Sequence, residues 1–132
     1  MKPLHVAVGV VVNGAGQILI TRRANDAHQG GLWEFPGGKV EATESVQRAL
    51  ARELHEELDI VVSCSEALLQ VRHDYSDKSV LLDVWLVSAF TGEARGVEGQ
   101  PLNWVARSEL AGYEFPAANQ PIIAAIQSLK LC

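Results

Sequence analysis

The sequence predicts an α+β fold in which a central mixed β-sheet lies between helices, in α/β/α layers. Three observations lead there. Most of the chain reads as extended runs rich in β-branched residues, one early and one late segment switch to helical spacing, and turn residues separate them. At 132 residues the chain matches one ordinary domain, 1–132, long enough to bury roughly two thirds of the surface its unfolded form exposes.

Leu4 to Val12 is apolar and β-branched, Asn13-Gly14-Ala15-Gly16 is a turn, and Gln17 to Arg22 resumes the extended pattern, which predicts a β-hairpin. Ala24 to Gly31 is polar with a glycine pair and reads as loop. Trp33-Glu34-Phe35-Pro36-Gly37-Gly38 reads as a sharp turn, because proline fixes φ and the glycines open backbone angles closed to other residues. From Ser45 to Leu58 the apolar residues Val46, Ala49, Leu50, Leu54 and Leu58 recur at helical spacing, with Thr43 or Ser45 as N-cap. Ile60 to Tyr75 and Ser79 to Phe90 predict two long strands around Ser76-Asp77-Lys78, and Leu102 to Val105 a short one. Trp85 and Trp104 fall on strand patterns and are expected in the core. Ala117 to Leu131 is helical again through Ile122, Ile123, Ala125, Ile126 and Leu129.

Composition narrows the function classes. With 48% hydrophobic and 20% charged residues and no apolar run near the roughly 18 residues of a membrane span, a soluble protein without membrane contact is expected. The opening Met1-Lys2-Pro3-Leu4-His5 leads straight into a strand and lacks the features of a signal peptide, so a cytoplasmic location is expected. Cys64 and Cys132 show no metal-ligand spacing and are expected as free thiols. A net charge of −5 disfavours direct nucleic-acid binding, and an anionic substrate would need a local cation. No obligatory protein partner is evident.

One stretch concentrates chemistry. In Arg52-Glu53-Leu54-His55-Glu56-Glu57-Leu58, the carboxylates of Glu53, Glu56 and Glu57 share one side of a helix. On a solvated face their repulsion is small, about 0.2–0.5 kcal/mol per pair, so an ordinary exposed helix is one reading. In a cleft, carboxylates about 6 Å apart would repel by roughly 3 kcal/mol per pair at an effective dielectric near 20, and a divalent cation would reverse that cost. A hard ion such as Mg²⁺ favours this all-oxygen set, and the absence of Cys and His clusters disfavours zinc.

Gly38, five residues, Glu44, seven residues, then Arg52-Glu53-Leu54-His55-Glu56-Glu57-Leu58-Asp59-Ile60 resembles the box of the Nudix hydrolase family. The departure is Asp59, where the family has a helix-ending glycine in a left-handed conformation that Asp tolerates better than most residues. The resemblance extends to the MutT branch through Thr21-Arg22-Arg23, Trp33 to Lys39, Val97-Glu98-Gly99-Gln100-Pro101 and Phe115-Pro116-Ala117-Ala118-Asn119.

The resemblance implies a Nudix-like α/β/α sandwich and a Mg²⁺-dependent enzyme, with Mn²⁺ as a substitute, that attacks the β-phosphorus of a nucleoside triphosphate to release pyrophosphate. On this chain it implies a metal set of Gly37 (carbonyl), Glu53, Glu56, Glu57 and Glu98, and a catalytic set of Glu53, Glu98, Arg52 and Glu44. Either Glu53 or Glu98 would be the base. Arg52 would orient the glutamates, and Glu44 near the helix start would gain from the positive end of the helix dipole. Arg23 and Lys39 are candidate phosphate contacts, and His28, Phe35, Asp77 and Lys78 lie in segments resembling those around the family's base pocket.

Asn119 either caps the last helix or reads a base. Its amide can accept from the N7 hydrogen of a guanine oxidised at C8, a hydrogen that ordinary guanine lacks. The expected substrate is therefore 8-oxo-dGTP, cleaved to 8-oxo-dGMP and pyrophosphate in nucleotide-pool sanitation. The alternatives are another nucleotide or nucleoside diphosphate derivative, or a catalytically silent nucleotide-binding module.

Overall fold

The computed structural model describes residues 3–24 and 30–129. His28 and Cys132 lie outside the described residues. In chain order the elements are β1 (Leu4–Val11), β2 (Ile18–Arg22), β3 (Trp33–Glu34), β4 (Gly37–Lys39), α1 (Val46–Leu58), β5 (Val61–Asp74), β6 (Ser79–Thr91), β7 (Leu102–Val105) and α2 (Gln120–Ser128). Short 3₁₀ turns at Arg107–Gly112 and Ala117–Asn119 precede α2.

The strands form a four-stranded mixed sheet in the order β4-β1-β6-β5 and a three-stranded sheet in the order β3-β2-β7. β1 runs parallel to β6, with Val8 opposite Val84, and antiparallel to β4, with Ala7 opposite Gly38.

Side-chain parity explains the layers. Along β1, Val8 and Val10 enter one core with Ile122 and Ile126 of α2, while Ala7 and Val11 enter a second core with Leu50, Leu54 and Leu58 of α1. β2 divides the same way, Ile18 and Ile20 to the α2 side and Leu19 to the α1 side. Strands covered on both faces need unbroken apolar runs, which is what Val6 to Val12 and Ile18 to Ile20 supply. Each fully buried leucine of α1 is worth about 1.5–3 kcal/mol relative to exposure.

β1 and β2 do not pair as the expected hairpin. β1 and β2 meet only at its base, through the Val12–Ile18 bridge and the Asn13 N–H to Gln17 carbonyl bond, and then part into different sheets. The expected sharp turn at Trp33 to Gly38 is instead two short strands on different sheets, with the chain crossing at Phe35-Pro36. Trp85 and Trp104 pack only partly buried against the α1-side core. The tail begins as 3₁₀ and becomes α-helical at Gln120, because Pro121 lacks an N–H and crowds the carbonyl four residues back, so a regular helix starts with it in the first turn.

Candidate active site

α1 begins at Ser45, whose hydroxyl accepts from the Arg48 N–H, and ends at Asp59 in the left-handed conformation, φ 59° and ψ 35°. The Asp59 carboxylate pairs with Arg95 at 3.1 Å. Between these ends the helix presents Arg52, Glu53, Glu56 and Glu57.

Arg52 organises the acids. Its Nη2 reaches Glu44 Oε1 at 2.6 Å and its Nε reaches Glu44 Oε2 at 3.1 Å, a two-point pair. Its Nη1 donates to Glu53 at 2.9 Å, and Nη2 also donates to the Lys39 carbonyl at 3.1 Å, which ties the helix to β4. The hydrogen bond from Arg52, then one from the Glu41 N–H, hold Glu44 down at about 2. The same acids push the Arg52 guanidinium upward. Glu44 stands directly before the N-cap Ser45, and its carboxylate accepts from Arg52 and from the Glu41 N–H.

Glu53 lies flush against the glycine turn. A Cβ on Gly38 would fall inside the Glu53 carboxylate, and a Cβ on Gly37 would fall on the Ala7 carbonyl, so both positions exclude side chains. Glu57 is pushed up to about 8, first by burial, then by the charge of Glu53 and a hydrogen bond to it, then by Glu34 and Glu98. Glu56 sits at the rim, 57% exposed, with Arg52 at 3.5 Å.

Two hollows flank this cluster. One, about 380 Å³, is lined by Arg22, Arg23, Glu34, Glu57, Glu98 and Gln100. The other, about 270 Å³, is lined by Phe35, Gly37, Gly38, Lys39, Lys78 and Asn119 among others. Arg23 and Glu34 line both hollows and are joined by a 2.8 Å ion pair. Burial raises Glu34, and Arg23 opposes that rise.

Several expected site residues therefore converge: Arg23, Phe35, Lys39, Lys78 and Asn119 around the hollows, and Glu57 and Glu98 in one of them. Phe35 is also core, 4% exposed and stacked on Phe115 at 5.1 Å. Asn119 occupies the N-cap position of α2 yet makes no capping hydrogen bond, so its side chain is not used as a cap. Asp77 is exposed and lines neither of these hollows but a surface hollow with Arg72 and Asp74, which shares Tyr75 and Lys78 with the second of them. Glu34 and Gln100 were not singled out from sequence. The available signal was an acid alone in the apolar run Trp33 to Pro36, and an amide two residues after Glu98.

Among the described residues, no three His, Cys, Asp or Glu side chains already form a metal-ligating group. The chemistry of the donors nonetheless fits a hard divalent ion. Glu53, Glu57 and Glu98 offer only oxygen, the absence of a side chain at Gly38 admits the Glu53 carboxylate, and burial with the charges of Glu53, Glu34 and Glu98 pushes Glu57 upward, a cost that a divalent ion would offset.

The family model for the NUDIX domain matches residues 7–125. The chain is 41% identical to the 8-oxo-dGTP diphosphatase of Escherichia coli K12, over 98% of this chain and all of that protein. It is 36% identical to the CTP pyrophosphohydrolase of the same organism, over 98% of this chain and 96% of that one. The MutT structure from a study of the Aliivibrio salmonicida and Vibrio cholerae proteins superposes with a TM-score of 0.84 at 40% identity, covering 98% of this chain and all of that one. Nudix hydrolases generally use a divalent metal. The two-sided sheet, the Arg52-organised acids against the glycine turn and these matches together establish that the chain belongs to the NUDIX domain family and is a Nudix hydrolase.

Proposed function

We propose that this enzyme is a Mg²⁺-dependent pyrophosphohydrolase that converts 8-oxo-dGTP and water into 8-oxo-dGMP and pyrophosphate, in the cytoplasm, clearing the nucleotide pool before DNA replication. The observation that carries the reading is that two hollows share Arg23 and Glu34 in their walls, one lined also by Glu57 and Glu98 and the other, more apolar, lined also by Phe35 and Asn119. A nucleotide has the same two-part character: charged phosphates at one end and a flat base at the other.

Glu53, Glu57 and Glu98, with Glu56 at the rim and the Gly37 carbonyl, would hold the ion. Bound Mg²⁺ neutralises phosphate charge and makes a water more acidic. Arg52 keeps Glu53 aimed at the glycine turn. Arg23 and Lys39 offer positive charge to the phosphate oxygens, and Glu34 holds Arg23 in place. Water attacks the β-phosphorus, the bond from that phosphorus to the α-bridging oxygen breaks, and 8-oxo-dGMP leaves. Glu53 or Glu98 takes the water's proton. The chemistry asks mainly for alignment and charge neutralisation.

Phe35, Lys78 and Leu82 would line the base site, and Asn119 would read its edge. An ordinary guanine turns an acceptor toward the Asn119 carbonyl oxygen, whereas the oxidised base turns a donor. Sites built on such a pairing can discriminate by factors of roughly 10⁴.

A second reading comes from the relative named as a CTP pyrophosphohydrolase. Pyrophosphate release from 8-oxo-dGTP, dGTP and CTP with Mg²⁺ decides between them. The proposal expects 8-oxo-dGTP to give the highest kcat/KM; a preference for CTP or dGTP would overturn the assignment.

A further inference from the structure

We propose that Gln100 is a positioning residue that sets the separation of Glu98 from Glu57, resting on the role given to Glu98 above. The last carbonyls of α1 have no partner within the helix. Segment 95–100 supplies partners: Arg95 N–H donates to the Leu58 carbonyl at 3.0 Å, and Val97 N–H donates to the Glu57 carbonyl at 3.1 Å. Gln100 Nε2 donates to that same Glu57 carbonyl at 3.1 Å. Its Oε1 accepts the Glu98 N–H at 2.9 Å. One amide therefore ties the backbone of Glu98 to the backbone of Glu57.

The residue type follows from the bonding. The Glu98 N–H can only donate and the Glu57 carbonyl can only accept, so the tie needs one donor and one acceptor on the same short side chain. This pairing also fixes which way the amide faces. Glutamate at this position would keep the acceptor but turn a carboxylate oxygen onto a carbonyl, and alanine would lose both bonds. The far side of the loop is anchored independently, because the Arg22 N–H donates to the Pro101 carbonyl at 3.0 Å. With Gln100 held from both directions, Glu98 is the exposed residue whose backbone direction the amide controls.

The test compares wild type, Q100A, Q100E, E98Q and E98Q/Q100A for kcat and KM of pyrophosphate release from 8-oxo-dGTP with Mg²⁺. Melting temperatures and the Glu98 amide exchange rate in the metal-free protein, read by NMR, accompany the kinetics. Q100A and Q100E are expected to lower kcat about 10- to 100-fold, the usual cost of removing a residue that orients a ligand, with KM within about twofold. Glu98 amide exchange should accelerate in Q100A and stay close to wild type in Q100E, which keeps the acceptor. E98Q/Q100A should be no slower than E98Q, since the amide acts through the carboxylate already removed.

Wild-type kcat or unchanged Glu98 exchange in Q100A would overturn the proposal. So would a Q100A loss of equal size in the E98Q background, which would place the effect in α1. E98Q at wild-type rate would remove Glu98 from the chemistry and the positioning role with it, while the exchange data would still report whether the hydrogen bond exists.

Discussion

Arg52 and Glu44 meet through two contacts, Nη2 to Oε1 at 2.6 Å and Nε to Oε2 at 3.1 Å, and this pair sets the plane of the guanidinium that also grips Glu53 at 2.9 Å. Arg52→Lys keeps the charge but loses the fork that satisfies both acids at once. We expect kcat to fall about 10- to 100-fold while KM moves less, measured by pyrophosphate release. Wild-type kcat in this variant would show that positive charge alone suffices.

The acids also predict how stability varies with pH. Glu57 titrates at about 8 in the fold and near 4.5 in an unfolded chain, so between those values the folded state keeps a proton that the unfolded state has lost. Its contribution therefore falls as pH rises through that window. Glu44, at about 2, acts oppositely and below it: its contribution is present above pH 4.5 and is lost as pH falls toward 2. In chelator, the melting temperature should decline between about pH 5 and 8, and Mg²⁺ should stabilise more at the alkaline end because it replaces that proton. Glu57→Gln should flatten both trends. A wild-type profile already flat in chelator would contradict the crowding.

Asn119→Ala should lower the kcat/KM preference for 8-oxo-dGTP over dGTP by about 10- to 100-fold, the size of one hydrogen bond left unmade in a binding site. Its melting temperature should stay close to wild type, because the side chain makes no capping bond. A stability loss with unchanged preference would assign Asn119 to the helix start instead.

Asp59 tests the one departure from the family box. Asp59→Gly removes the left-handed strain of an L-residue but also an exposed pair with Arg95 and some rigidity of the unfolded chain. These terms are each about 1 kcal/mol or less, so the net change should be within about 1 kcal/mol. Asp59→Val, β-branched at the same φ, should cost about 1–3 kcal/mol by denaturant unfolding. Equal stability of Asp59→Val and wild type would mean that the helix end rearranges.

Local pattern made α1 legible, because the spacing of Ala49, Leu50, Leu54 and Leu58 reports one buried face directly. It also made β5, β6 and β7 legible as runs. Pairing was less so: Val8 and Ala7 are both buried, on opposite faces, and nothing in the run says that β1 joins β6 and β4 while β2 joins β3 and β7. The box glutamates were readable because their spacing is fixed within one helix. Glu34 and Gln100 were not, because each gains its meaning from a partner outside its own element, Glu34 from Arg23, 11 residues earlier, and Gln100 from the Glu57 carbonyl, 43 residues earlier.

The most direct test of the central claim is a crystal structure with Mg²⁺ and a non-hydrolysable 8-oxo-dGTP analogue. An ion is expected among Glu53, Glu56, Glu57, Glu98 and the Gly37 carbonyl, touching phosphate oxygens, with the base beside Asn119. An ordered nucleotide with those carboxylates turned to solvent and no ion between them would contradict it.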